Sequence, residues 1–219
     1  MWCGAVAGPL FLAVAFLLGT RRSRYDATRM PISLLAAGRD GWAQIANFVL
    51  CGMLIVAFAA GLRLALTGRG ATWGPILFGL IGIGFIGAGP FVTDPGEGFP
   101  PAGQAEAGPT FHGHLHDLFS AFVFAGFPAA AFVMASYFAA HGDRRWALGT
   151  RLSAWVLAAG SVLVLIAFNQ SGTLEDVAGV IQRGWVTIAF AWLSCVSVHV
   201  VRGATTTRRF PDPIRAADP

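Results

Sequence analysis

The sequence predicts an all-α integral membrane protein, a bundle of six transmembrane helices. Of its 219 residues, 55% are hydrophobic and only 12% are charged. A water-soluble domain carries about 25% charged residues, so half that fraction leaves too little polar surface for a soluble protein. Apolar runs of the roughly 20 residues that a bilayer requires recur six times along the chain. None of them alternates strictly, which favours helices because a helix satisfies its own backbone in lipid.

The apolar runs define the predicted elements in chain order. The first run lacks a basic leading region and a small-residue cleavage pattern, so it is interpreted as a span and not as a signal peptide. Residues 1–203 are therefore predicted to form one transmembrane domain, and residues 204–219 a disordered tail. The predicted spans are residues 3–19, 43–62, 73–92, 118–140, 152–169 and 184–201.

Six spans place alternate connections on opposite sides of the membrane. We term the side of both termini and of connections 63–72 and 141–151 face A, and the side of connections 20–42, 93–117 and 170–183 face B. Face A carries nine arginines and face B six, so the positive-inside rule favours an N-in, C-in protein of the cell membrane. The arginines are dispersed over several loops, which argues for contact with membrane lipid and against nucleic-acid binding.

The third span contains a glycine pattern that resembles a nucleotide-binding motif. Gly82, Gly84 and Gly87 spell G-x-G-x-x-G, but the pattern lies inside an apolar span with no preceding strand. These glycines are predicted to let the third helix pack closely against its neighbours, with Gly84 and Ala88 as a small-residue pair.

Polar residues within the spans collect at the face-B ends. Polar groups at membrane depth are costly unless they face the bundle interior or a wet cavity. If the ends of the spans were polar only because they reach the membrane surface, the face-A ends would carry a similar set of polar residues. Arginines predominate there instead. The sequence therefore predicts a cavity open towards face B. The residues concerned are Gln44, Asn47, Asp94, His116, Asp117, Asn169, Gln170, Gln182 and Arg183.

Three segments, in this order, carry a family resemblance. They are SRYDATRMPISLLAAGRDGWAQIANFVLCG at 23–52, FVTDPGEGFPP at 91–101 and HGHLHDLFSAFVF at 112–124. The chain resembles the bacterial six-span membrane proteins of the domain-of-unknown-function family nine-nine-eight, which implies a fold and a site location but no reaction. Relatives often have histidine where this chain has Met30, so a mechanism that needs that imidazole is not implied. The family pattern falls on Tyr25, Asp26, Pro31, Ser33, Gly41–Phe48, Thr93–Pro95 and Leu115–Asp117.

Carboxylates at face B are the leading catalytic candidates. Burial favours a neutral carboxylic acid, which can then donate a proton near neutral pH. Asp94 and Asp117, with Asp26 in reserve, are the predicted acid–base groups, and His116 is predicted to tune them. The chain also has 18 Phe and 7 Trp residues, and aromatic faces stabilise a cation by roughly 0.5–2 kcal/mol each. This set favours proton-initiated cyclisation or isomerisation of an apolar lipid or isoprenoid, without a cofactor.

Further face-B residues are predicted to hold the substrate. Gln44 and Asn47 would position it, and arginines such as Arg29 would bind an anionic head group through bidentate hydrogen bonds. Contact of these arginines with anionic membrane lipid is the alternative. The predicted substrate-binding residues are Tyr25, Arg29, Ser33, Trp42, Gln44, Asn47, Gln170, Arg183 and Trp185.

Four other interpretations stay open. His112 and His116 lie four residues apart, so on a helix they share a face. With Asp94 they would bind zinc for metal-assisted hydrolysis, although Gly113 and the Pro/Gly-rich loop before it argue against a helix at residue 112. Alternatively, His116 and Asp117 only form a hydrogen-bonded cluster where the helix begins. For the protein as a whole, the alternatives to an enzyme are a lipid or small-molecule carrier and a structural subunit. The sequence does not indicate an oligomeric state.

Overall fold

The computed structural model confirms the predicted six-helix architecture. It describes residues 1–68, 70–96, 98–101, 109–169 and 174–209, the side chains of 204–209 excepted. Within these ranges there is no strand, and six helices are long and apolar enough to cross a membrane. The helices are α1 (Trp2–Arg21), α2 (Trp42–Ala65), α3 (Gly70–Ala88), α4 (Phe111–Ala140), α5 (Arg144–Asn169) and α6 (Ala178–Arg209).

The helices form a closed ring in which each packs against its sequence neighbours and α6 packs against α1. Aromatic side chains fill the interior of this ring. The Phe11 and Phe85 ring centroids lie 5.3 Å apart, Phe85 and Phe190 5.6 Å, and Phe127 and Phe190 5.8 Å. Such pairs add about 0.5–1.5 kcal/mol each beyond the area they bury. The bundle axis is therefore a packed aromatic core rather than a channel.

Glycines on α3 have the packing role that the sequence predicted. A Cβ atom added to Gly82 would lie 2.8 Å from the carbonyl oxygen of Gly52 on α2. A Cβ atom added to Gly84 would lie 2.7 Å from the carbonyl oxygen of Phe119 on α4. Backbone therefore meets backbone on both sides of α3, which only glycine allows.

The connection between α1 and α2 folds back into the bundle. Residues Ile32–Ala36 form a 3₁₀ helix that begins after Pro31, and all five of its residues are buried. We term residues 22–41 the plug. Its apolar run ISLLAA supplies the buried surface. From the sequence, residues 20–42 were predicted only as a connection, and this burial was not predicted.

Helix α4 begins earlier than predicted. It starts at Phe111, and the Thr110 hydroxyl accepts a hydrogen bond from the Gly113 N–H at 3.0 Å. This N-cap satisfies a donor that the helix would leave unpaired. The expectation that Gly113 prevents a helix here is wrong, because Gly113 instead makes room for the carboxylate of Asp94. A Cβ atom at Gly113 would lie 2.1 Å from Asp94 Oδ2.

Two predictions about the chain ends stay predictions. The helices do not determine on which side of a membrane the termini lie. Helix α6 continues to Arg209, past the predicted domain boundary at residue 203. Residues 210–219 of the predicted tail lie outside the described residues.

Candidate functional site

A small cavity lies at the face-B end of the aromatic core, and two of the polar residues predicted to face a cavity there, His116 and Gln182, line it. Its volume is about 50 Å³, whereas cavities for drug-sized ligands measure about 300–1,000 Å³. In this conformation it admits a few water molecules or one small chemical group. Its polar lining residues are Ser33, His116, Ser120 and Gln182, and its aromatic ones are Phe11, Phe48, Phe85, Phe124 and Trp185.

His116 is the ionisable side chain in the described wall of this cavity, and it is 4% exposed. Its Nδ1 lies 3.0 Å from the carbonyl oxygen of Ala88 and 2.9 Å from that of Phe91. Ala88 is the last residue of α3 and Phe91 follows the helix, so neither carbonyl has a hydrogen-bond partner within the helix. Since carbonyls only accept hydrogen bonds, we assign the proton of the neutral ring to Nδ1. Nε2 then carries the lone pair.

Asp94 serves the N-terminus of α4 and does not line the cavity. Its Oδ1 accepts hydrogen bonds from the Thr110 hydroxyl at 2.6 Å and the Thr110 N–H at 3.2 Å. Thr110 in turn caps the helix through Gly113. Asp94 and Thr110 therefore form a two-step cap that also suits the positive end of the helix dipole.

We expect Asp94→Ala to lower the free energy of unfolding by about 1–2 kcal/mol, because Thr110 loses its acceptor. Asp94→Asn is expected to lose less than half as much, since the carboxamide oxygen still accepts from Thr110. Denaturant titration in mixed micelles measures both. Asp117→Ala, at an exposed position of the same helix, is the control and should stay within about 0.5 kcal/mol of wild type. Equal losses for Asp94→Ala and Asp117→Ala would contradict the capping role.

The other predicted catalytic carboxylates are exposed. Asp117 follows His116 directly, yet it lies on the outer side of α4. Asp26 closes a turn of the plug, where its Oδ1 accepts from the Thr28 hydroxyl at 2.6 Å and the Thr28 N–H at 2.9 Å. These hydrogen bonds hold the pKa of Asp26 below its ordinary value, so it is ionised at neutral pH and is a poor proton donor. No described aspartate lines the cavity, which corrects the expectation that the carboxylates converge there.

Tyr25 and Arg183 hold the plug against α6. Arg183 donates from Nη1 to the carbonyl oxygens of Met30 and Gly179, each at 2.9 Å, and from Nη2 to the Tyr25 hydroxyl. The Tyr25 hydroxyl donates to the Pro31 carbonyl oxygen at 3.0 Å. Burial raises the pKa of Tyr25 above its ordinary value although Arg183 opposes this shift, so the phenol is neutral at physiological pH. Both predicted substrate-binding residues thus lie at the plug, bonded to protein groups.

Ser33 and Trp185 line the cavity, as does Gln182 beside them. The Gln182 Oε1 accepts from the Ile32 N–H at 2.8 Å, and the Trp185 Nε1 donates to the Leu157 carbonyl oxygen at 2.9 Å. Ser120 also lines the cavity but was not predicted from the sequence, although it lies four residues after His116 and therefore on the same face of α4. That spacing was the signal that could have identified it.

The remaining predicted substrate residues lie elsewhere. Gln44 and Asn47 are buried between α1 and α2, where Asn47 Nδ2 donates to the Phe11 carbonyl oxygen at 3.1 Å and to Gln44 Oε1 at 3.3 Å. Trp42 is 72% exposed. Arg29 pairs with Glu175 at 3.4 Å and Asp176 at 2.9 Å.

None of these four residues lines the cavity. Asn47 joins α2 to α1, Trp42 faces away from the bundle, and Arg29 pairs with carboxylates of the protein. Their predicted role in substrate binding stays a prediction. Gln170 lies outside the described residues.

The three predicted zinc ligands do not lie together. His112 is exposed, with its ring centroid 5.6 Å from that of Phe91, while His116 Nδ1 and Asp94 bond to protein groups. Within the described ranges, no group of three His, Cys, Asp or Glu side chains could hold a metal ion.

The fold and this buried cavity define a multi-pass helical membrane protein. The sequence model of the family described as "Protein of unknown function (DUF998)" matches residues 5–199, and the chain belongs to that family. This confirms the family predicted from the three sequence segments. No curated protein and no solved structure matches the chain.

Proposed function

We propose that the chain is an enzyme of the cell membrane that moves a proton at one end of an apolar lipid or isoprenoid substrate. The observation that carries this proposal is a buried histidine in the wall of an aromatic cavity, with Nδ1 within hydrogen-bond distance of two carbonyl oxygens. The tautomer assigned from these contacts leaves the lone pair on Nε2. A neutral imidazole in this state can accept a proton and return it, which is general acid–base catalysis.

The position of His116 favours isomerisation over proton-initiated cyclisation. Cyclisation would need a neutral carboxylic acid facing the substrate, and the described aspartates lie elsewhere. In an isomerisation, the C–H bond between a carbon–carbon double bond and a carbonyl group breaks, its proton goes to Nε2 and the carbonyl takes up the electron pair as a dienolate. The electron pair shifts the double bond, and the imidazolium returns a proton to another carbon. The molecular formula of the substrate is unchanged.

The size and lining of the cavity support binding of the reacting end alone. A space of about 50 Å³ takes a small polar or unsaturated group, not a whole lipid. The hydroxyls of Ser33 and Ser120 and the carboxamide of Gln182 can orient that group. Because Ser33 belongs to the plug, entry of a longer substrate requires the plug to shift.

Deuterium exchange tests the proton transfer without a named substrate. Purified protein is incubated in D₂O with fractionated membrane lipid extract, and lipid deuteration is measured by mass spectrometry. We expect the wild type to deuterate one lipid class and His116→Asn to lose this at least about 100-fold, the usual contribution of a general acid–base group. Asparagine keeps a donor near the Nδ1 position for the carbonyl oxygens of Ala88 and Phe91 but has no equivalent of Nε2.

Two further variants make the deuterium result specific. His112→Asn, at an exposed histidine on the same helix, should behave as wild type. His116→Ala should lose both activity and stability, because it also removes the donor to Ala88 and Phe91. Wild-type deuteration retained by His116→Asn would refute the proposal.

The carrier alternative has support from the same cavity, whose described wall contains one ionisable group and five aromatic rings. A carrier would copurify with an apolar ligand and would deuterate no lipid. Equal ligand retention by wild type and His116→Asn, with no deuteration by either, would favour the carrier.

A further inference from the structure

A second hollow lies on the outside of the bundle, far from the cavity at His116. It is a groove between α2 and α3 near face A, with a volume of about 340 Å³. Its lining is apolar apart from Arg63 and Thr72 at one end, and the apolar part consists of Val56, Ala59, Ala60, Pro75 and Ile76. This volume falls within the range of pockets that bind small molecules.

Small side chains open this groove. Near the middle of the membrane, Gly52 and Gly82 bring the α2 and α3 backbones into contact. Towards face A, Ala59 and Ala60 present only methyl groups to the groove, and Pro75 lines its opposite wall. In a membrane the space beside these side chains is filled by lipid chains, so the groove is a place for an acyl chain.

A positively charged side chain lies at the interfacial end of the groove. Arg63 lies in the last turn of α2 and is exposed, and no described carboxylate pairs with it. From Arg63 the groove continues to Val56, seven residues along the helix and therefore about 10 Å deeper into the membrane. Thr72, in the first turn of α3, adds a hydroxyl at the same level as Arg63.

We propose that this groove binds one anionic phospholipid, with an acyl chain against Ala59, Ala60 and Pro75 and the phosphate on Arg63 and Thr72. A guanidinium binds phosphate oxygens through two parallel hydrogen bonds, and the Thr72 hydroxyl donates a third. Basic sites between transmembrane helices are known to bind anionic head groups. Because no carboxylate among the described residues pairs with Arg63, its charge makes an anionic lipid the preferred occupant over a zwitterionic one.

Native mass spectrometry tests the site. The full chain is purified in mild detergent and exposed to equal amounts of phosphatidylglycerol and phosphatidylcholine. We expect wild type to retain one phosphatidylglycerol at least tenfold over phosphatidylcholine. Arg63→Gln should abolish the preference, and Ala60→Phe should displace the lipid by filling the groove from an exposed position. Thr72→Val, nearly isosteric, should reduce the preference and covers the case in which Ala60→Phe fails to fold.

Matched controls lie elsewhere on the bundle. Arg145→Gln removes another exposed arginine at face A, and Val162→Phe enlarges a side chain that is 56% exposed on α5. Both should retain phosphatidylglycerol as wild type does. Equal retention of the two lipids, or loss of preference with Arg145→Gln as with Arg63→Gln, would overturn the proposal in favour of general annular lipid. A wild type that is dimeric in detergent, and an Ala60→Phe variant that is monomeric with unchanged lipid retention, would overturn it in favour of a second copy of the chain.

Discussion

Replacement of Gly52 by valine is expected to lower the free energy of unfolding by at least about 3 kcal/mol. An added Cβ would lie 2.5 Å from the Gly82 carbonyl oxygen and 2.8 Å from the Ile86 backbone nitrogen. These are backbone atoms, so relief of the clash requires α2 and α3 to separate. Overpacking typically costs about 1–3 kcal/mol even where side chains can adjust. Denaturant titration in mixed micelles, followed by tryptophan fluorescence, measures the loss.

Gly79→Ala is the matched control on α3. A Cβ atom at Gly79 meets nothing within 4 Å. Alanine there should therefore be neutral or stabilise the protein by up to about 1 kcal/mol, since alanine favours a helix more than glycine does. A loss at Gly79 comparable to that at Gly52 would show that backbone flexibility, and not helix contact, explains the glycines.

Replacement of Arg183 by alanine is expected to release the plug, at a cost of about 3 kcal/mol. The change leaves the Met30 carbonyl and the Tyr25 hydroxyl without their charged donor, and hydrogen bonds to charged groups contribute about 1.5–3 kcal/mol each. It also removes the guanidinium whose central carbon lies 5.7 Å from the centroid of the Tyr25 ring. We expect tryptic cleavage at the exposed Arg24 and Arg39 of the plug to become about tenfold faster.

Arg29→Gln provides the comparison at the same junction. Arg29 also joins the plug to the segment just before α6, but through ion pairs with Glu175 and Asp176 in which its side chain is 39% exposed. Exposed ion pairs contribute about 0–1 kcal/mol, so this variant should lose less than about 1 kcal/mol and resist trypsin nearly as wild type does. A larger loss of stability with Arg29→Gln than with Arg183→Ala would show that the surface ion pairs, and not the hydrogen bonds of Arg183, hold the plug against α6.

The features that were predicted well from the sequence are those that depend on one physical property of the residues themselves. Transfer of a residue into lipid favours apolar side chains regardless of their neighbours, so six spans follow from composition along the chain. The role of Gly82 and Gly84 also follows locally, because glycine within an apolar helix usually marks close backbone contact.

The site was predicted less completely because its residues depend on helix rotation. His116 and Asp117 are adjacent, and one residue turns about 100° around a helix axis. One of the two therefore points inward and the other outward, but lipid and bundle interior are both apolar and the surrounding sequence does not distinguish them. The polar residues of the plug were likewise recognised as a group, while their bonds to α6 cross more than 150 positions of sequence.

By itself, the sequence determined the number of helices, the family and the membrane face at which polar residues collect. Only the tertiary structure decided that His116 faces the cavity, that Asp94 caps α4 and that Ile32–Ala36 of the plug is buried in the bundle. The physical reason is that hydropathy measures whether a residue leaves water. Which neighbour that residue then meets depends on how the helices rotate and pack against one another.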